Sequence, residues 1–140
     1  MTDRDLAVFF YGLFMDVAIL RSKGVEPSQV RRASVDGYAL NIGDRASLSQ
    51  QKNSRVHGVV MTLAERDLET LYAEKGLTDY RPETVTAELE DGSSISASCY
   101  NLPRVPVGKP NPEYIEKLRR LAMQLELPGE YVDRIGREST

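Results

Sequence analysis

Six consecutive apolar or aromatic residues, Leu6-Ala7-Val8-Phe9-Phe10-Tyr11, constrain this chain more than any other feature. A run without a polar position is the pattern of a strand buried on both faces. Gly12 ends it. Asp16 then stands where a side chain caps a short helix carrying Val17, Ala18 and Leu20. A buried strand, a glycine and a helix start leave backbone N–H groups free at a strand end, where an anion or a carbonyl oxygen can be held. An ordinary core strand with a plain glycine turn also fits these residues.

The rest of the chain has to supply a core around that strand. Its 140 residues are 41% hydrophobic and 28% charged, the balance of a single domain spanning residues 1–140 that needs no staples. The net charge is −3 with Lys and Arg spread along the chain, so no basic patch marks a nucleic-acid or membrane partner. One cysteine, Cys99, excludes an intrachain disulfide, and with one histidine it leaves no soft-metal cluster. The N-terminus lacks a signal-peptide pattern and no apolar run reaches membrane-spanning length, so a cytoplasmic location is expected.

Beyond the first helix, Lys23-Gly24 is a stop signal and Glu26-Pro27-Ser28 a connection. Val35 to Ile42 reads as a strand, followed by a turn over 41–45 and a short strand around Ala46 to Leu48. The polar tract Ser49 to Arg55 is expected as a mobile loop, and Val56 to Met61 as a strand in which Gly58 marks a bulge or a close approach. Thr62 and Glu65 form a capping box for a helix with Leu68, Leu71 and Tyr72 on its apolar stripe, ended by Gly76. Val85, Ala87 and Leu89 alternate before an Asp91-Gly92 turn; Ile95, Ala97 and Cys99 alternate after it, giving an antiparallel ribbon. Leu102 to Pro110 is an irregular arm. Asn111-Pro112 then opens a helix buried along Tyr114, Ile115, Leu118, Leu121, Ala122 and Leu125. A last short turn of helix carries Tyr131 and Ile135, before a frayed tail over 137–140. About six strands and three helices, largely antiparallel, indicate an α+β domain with a small sheet or barrel.

Among the acidic residues Glu74 is placed differently from the others. It falls in the last turn of its helix between Leu71 and Leu77, where the helix dipole disfavours a negative charge. That suits a carboxylate that takes up and returns a proton near neutral pH; an ordinary surface glutamate neutralised by Lys75 is the other reading. His57 reads as a half-buried structural residue, Cys99 as a core thiol, and Asp44-Arg45 as a surface pair.

These stretches together resemble the γ-glutamylcyclotransferase-like proteins. Phe10-Tyr11-Gly12-Leu13-Phe14-Met15-Asp16, followed by Leu20 and Gly24, is similar to that family's Tyr-Gly-Ser-Asn-Leu/Met signature. Val56-His57-Gly58-Val59-Val60 resembles its Val-x-Gly-x-Val/Leu strand, and Leu71-Tyr72-Ala73-Glu74-Lys75-Gly76 with Tyr80 its Leu-Asp-x-x-Glu-Gly…Tyr block. Asn111-Pro112-Glu113-Tyr114 and Leu127-Pro128-Gly129-Glu130-Tyr131 resemble the C-terminal helix and the Leu-Pro-x-x-Tyr ending. The match runs nearly end to end and in order.

The resemblance implies a small mixed, largely antiparallel β-barrel with flanking helices. It implies a reaction in which the α-amine of a γ-glutamyl group attacks its own γ-carbonyl, giving 5-oxoproline and releasing an amine, with no metal or cofactor. Glu74 matches the family's acid/base. Tyr11, Gly12, Leu13 and Phe14 match the loop that holds the γ-glutamyl group, and the motif puts Tyr80 near the carboxylate. Two departures stand out. Leu13 and Phe14 replace the usual Ser-Asn or Ser-Leu, which removes a hydroxyl and points from glutathione toward a bulkier or more apolar leaving group. Tyr72 replaces an aspartate, and Lys75 moves the glycine one place along. The expected partner is a small-molecule γ-glutamyl substrate; a non-catalytic ligand- or protein-binding module on the same barrel is the alternative.

Overall fold

The structure is a computed structural model describing residues 5–74, 77–102 and 110–135. Its centre is a closed five-stranded barrel: β1 (Asp5–Phe10), β2 (Ser28–Ile42), β3 (Ala46–Ala64), β4 (Arg81–Leu89) and β5 (Ser94–Asn101), in the order β1-β3-β2-β4-β5. All neighbours run antiparallel except at the seam, where β5 returns beside β1 in parallel. Four α-helices flank it: α1 (Val17–Ser22), α2 (Glu65–Tyr72), α3 (Pro112–Gln124) and α4 (Gly129–Arg134). This is the mixed, largely antiparallel barrel that the resemblance implies. No helix among the described residues is long and apolar enough to cross a membrane.

The apolar run behaves as its composition requires. β1 has a barrel strand on each side, and Val8, Phe9, Phe10 and Tyr11 are all buried. Just beyond it, a Cβ at Gly58 would stand 2.2 Å from the Phe10 carbonyl oxygen, so the glycine marks a close approach of two backbones. Asp16 caps α1 by accepting from the Ala18 N–H at 2.9 Å. Asn111 caps α3 through its side-chain oxygen, with Pro112 in the first turn. Val85, Ala87, Leu89, Ala97 and Cys99 line the core, and burial pushes the Cys99 thiol up to about 12.

Three expectations are corrected. The tract 49–55 lies within β3 and does not separate two strands. Gln50 pairs with Tyr38 and Arg55 with Asp36, and the intervening residues bulge outward, with Asn53 at φ 68°. Among the described residues the strand count is therefore five and not six, and the α-helices number four. The capping box does not form either: α2 starts at Glu65 behind Ala64, with no side-chain cap. Thr62 is held in the ladder opposite Ala7 and Ser28, and its hydroxyl donates to Gln29 Oε1 at 3.1 Å. The arm 103–109, Lys75-Gly76 and the tail 136–140 lie outside the described residues.

Candidate active site

A partly open cleft of about 70 Å3 lies at the end of β1, where the chain leaves the barrel. Tyr11, Gly12, Leu13 and Phe14 form one wall, and Tyr72, Leu77 and Tyr80 the wall opposite. Phe10, Arg45, Ala46 and Tyr114 complete it. Five of the six site residues expected from sequence, Tyr11, Gly12, Leu13, Phe14 and Tyr80, thus come together here.

The first wall is tightly fixed. Gly12 precedes a single 3₁₀ turn over Leu13–Met15, whose own carbonyls do not accept from the Leu13 and Phe14 N–H groups. The Leu13 N–H instead donates to Tyr114 Oη at 3.3 Å, a long bond that a ligand oxygen can replace. A Cβ at position 12 would stand 2.6 Å from the same hydroxyl, so a larger residue there would have to displace the end of the Tyr114 side chain. The Tyr11 hydroxyl donates to the Tyr100 carbonyl at 2.8 Å and lies 3.4 Å from Asn101 Oδ1. Asn101 in turn accepts from Leu48 N–H at 2.8 Å and donates to Leu48 C=O at 2.9 Å, an amide standing in for a missing stretch of ladder.

The opposite wall is aromatic. Tyr72 stacks on Tyr100, with ring centres 4.1 Å apart and planes 7° from parallel, and meets Phe14 edge-on at 5.7 Å. Tyr80 donates to the Ala46 carbonyl at 2.6 Å, which occupies the hydroxyl expected beside Glu74. Burial pushes the hydroxyls of Tyr11 and Tyr72 well above the ordinary phenol range, and raises those of Tyr80 and Tyr114 as well. All four are neutral near pH 7 and none can serve as a base there.

Glu74 is not among the described residues lining the cleft. α2 ends at Tyr72, so Glu74 stands beyond the last turn and not within it. Its side chain is 41% exposed and ion-paired with Lys23, at the end of α1. Its backbone carbonyl nevertheless accepts from the N–H of Leu77, a cleft residue, at 2.9 Å. An exposed pair of this kind is worth about 0–1 kcal/mol, so little holds the carboxylate outside.

Four contributors went unnoticed as site residues in the sequence. Tyr114 was legible as part of a buried helical stripe, but not as the residue that reaches Leu13. Tyr72 showed only as a departure from a motif. Asn101 follows Ala97 and Cys99 at period two, which put a polar amide on the core face. Arg45, read as a surface partner of Asp44, forms no ion pair among the described residues and lines the cleft instead.

Residues 8–120 match a family described as gamma-glutamyl cyclotransferase, AIG2-like. No curated protein matches the sequence. Among solved structures the chain is similar to a gamma-glutamyl cyclotransferase at a TM-score of 0.80 and 20% identity, over 94% of this chain and 86% of that one. An uncharacterised protein from Homo sapiens gives 0.78 and 21% over the same shares. YkqA from Bacillus subtilis gives 0.77 and 23%, over 96% of this chain and 54% of the larger one. At these identities the likenesses establish the fold.

Proposed function

The chain belongs to the gamma-glutamyl cyclotransferase, AIG2-like family, and from that premise we propose that it cyclises a γ-glutamyl group to 5-oxoproline with release of an amine or amino acid. The observation that carries this reading is the cleft, in which the loop over 11–14 faces Leu77 and Tyr80, on the segment that bears Glu74. The γ-carbonyl oxygen takes the place of Tyr114 Oη on the Leu13 N–H, which also faces the negative charge that develops in the tetrahedral intermediate. Glu74 leaves Lys23, accepts a proton from the attacking α-ammonium, and returns one to the departing nitrogen. The ring C–N bond forms first, giving the tetrahedral intermediate, and the C–N bond to the protonated leaving amine breaks as it collapses, so no redox partner is needed. The aromatic rings of Phe14, Tyr72 and Tyr80 favour a γ-glutamyl compound with an apolar or aromatic leaving amine over glutathione as substrate.

A second reading, a ligand-binding module without turnover, is favoured by one specific observation: Glu74 is paired with Lys23 outside the cleft lining. The two are separated by incubating the purified chain, without added metal, with a panel of γ-glutamyl amines and γ-glutamyl amino acids. Release of 5-oxoproline, greatest with apolar amines, is the expected result. Binding of these compounds without any release assigns the module.

A further inference from the structure

We propose that Arg45 is a specificity residue of the cleft, holding the α-carboxylate of the γ-glutamyl group. This deepens the cyclotransferase reading and rests on it for the identity of the ligand. Arg45 is the one charged side chain among the described residues that line the cleft, and no described carboxylate pairs with it. Its placement is built from both sides. The Gly43 N–H donates to the Arg45 carbonyl at 3.0 Å, and the Asn111 N–H ties Gly43 to the cap of α3 at 2.9 Å. On the other side Ala46 is buried and its carbonyl accepts from Tyr80. The turn that brings Arg45 to the cleft is thus anchored to two elements.

The field of Arg45 reaches inward. It partly offsets the burial that raises the hydroxyls of Tyr80 and Tyr114, two other residues of the cleft lining. The other lining side chains described are apolar or phenolic, and an anionic group among them has no other cation to meet. A γ-glutamyl group carries one α-carboxylate that is unchanged by cyclisation and persists in 5-oxoproline. An arginine can grip it with two parallel hydrogen bonds while the γ-carbonyl lies at Leu13. The carboxylate of a leaving amino acid is the other possible source of the charge. The product distinguishes them, because 5-oxoproline retains only the first.

The test is calorimetric titration of 5-oxoproline and of its neutral carboxamide into the full chain, wild type, Arg45→Gln and Arg45→Lys. Arg45→Gln is expected to weaken 5-oxoproline roughly 10- to 100-fold, the range of a charge-assisted hydrogen bond, and to leave the carboxamide unchanged. Arg45→Lys should fall between, since it keeps the charge and loses the fork. Equal weakening of both ligands, an unaltered affinity for 5-oxoproline, or no binding of 5-oxoproline to wild type overturns the proposal. None of these readouts needs turnover. A chain that discriminates through Arg45 but releases no 5-oxoproline retains this proposal and loses the enzyme; turnover without discrimination does the reverse.

Discussion

The two sides of the cleft are held by different physics. The wall over 11–14 continues a strand paired on both sides, and Tyr11 and Leu13 are fixed by hydrogen bonds to the Tyr100 carbonyl and the Tyr114 hydroxyl. The facing side is fixed at Tyr72 by the Tyr100 stack and at Tyr80 by the Ala46 carbonyl, but the Glu74 carboxylate between them in sequence is secured by one exposed ion pair. A preorganised wall can hold the acyl group without rearrangement, whereas the other side can deliver or withdraw a proton-transfer group at low cost. In the proposed reaction the first wall binds the acyl group and the facing segment brings the proton-transfer group.

The largest expected effect comes from removing that chemistry. Glu74→Gln should lower the rate of 5-oxoproline release by roughly 100- to 10,000-fold, the range for a general acid–base group, in a steady-state assay. The melting temperature should barely move, because the lost partner is an exposed pair. A variant retaining wild-type turnover would take the proton transfer away from this side altogether.

Breaking the fixed wall should instead cost stability. Gly58→Ala forces a Cβ against the Phe10 carbonyl, and a loss of about 1–3 kcal/mol is expected in urea unfolding, typical of overpacking. Asn101→Ala strands the Leu48 N–H and C=O and should lose about 1–3 kcal/mol in the same measurement. If either proved neutral, the wall would not be as rigid as its contacts imply.

The same contrast explains what was legible in the sequence. Leu6 to Tyr11, the Asp16 cap and the Asn111-Pro112 start were readable because each depends on near neighbours in the chain. The alternation of Val85, Ala87 and Leu89 was readable because one face of that ribbon is buried. The continuity of β3 was not, since backbone pairing holds polar residues such as Ser49 and Gln50 in a ladder that no apolar periodicity advertises. The capping box was misleading because Thr62 is used twice by the strand before it can cap anything. Tyr114 and Arg45 reach the cleft from the start of α3 and from the β2–β3 turn, which the Asn111 N–H to Gly43 carbonyl bond joins over a distance that no local pattern carries. Glu74 was singled out by its place at a helix end and then by motif, but the sequence gives no hint that Lys23, fifty-one positions away, competes for it.

Two smaller effects sharpen the division. Leu13→Ser returns a hydroxyl to the fixed wall and should raise turnover of simple γ-glutamyl amino acids by roughly two- to tenfold, the worth of one neutral hydrogen bond. A change confined to apolar amines would place the hydroxyl elsewhere. Lys23→Met should shift unfolding stability by no more than about 1 kcal/mol, as for an exposed pair, while increasing turnover by releasing the carboxylate. Lower turnover would make Lys23 a partner in the chemistry and not a restraint.

The central claim is that Glu74 enters the cleft when a ligand occupies the wall over 11–14. A crystal structure of the full chain with 5-oxoproline bound tests it most directly. The account predicts the ligand oxygen on the Leu13 N–H, with the Glu74 carboxylate released from Lys23 and within hydrogen-bond reach of the ring nitrogen. A bound ligand with Glu74 still paired to Lys23 would contradict it.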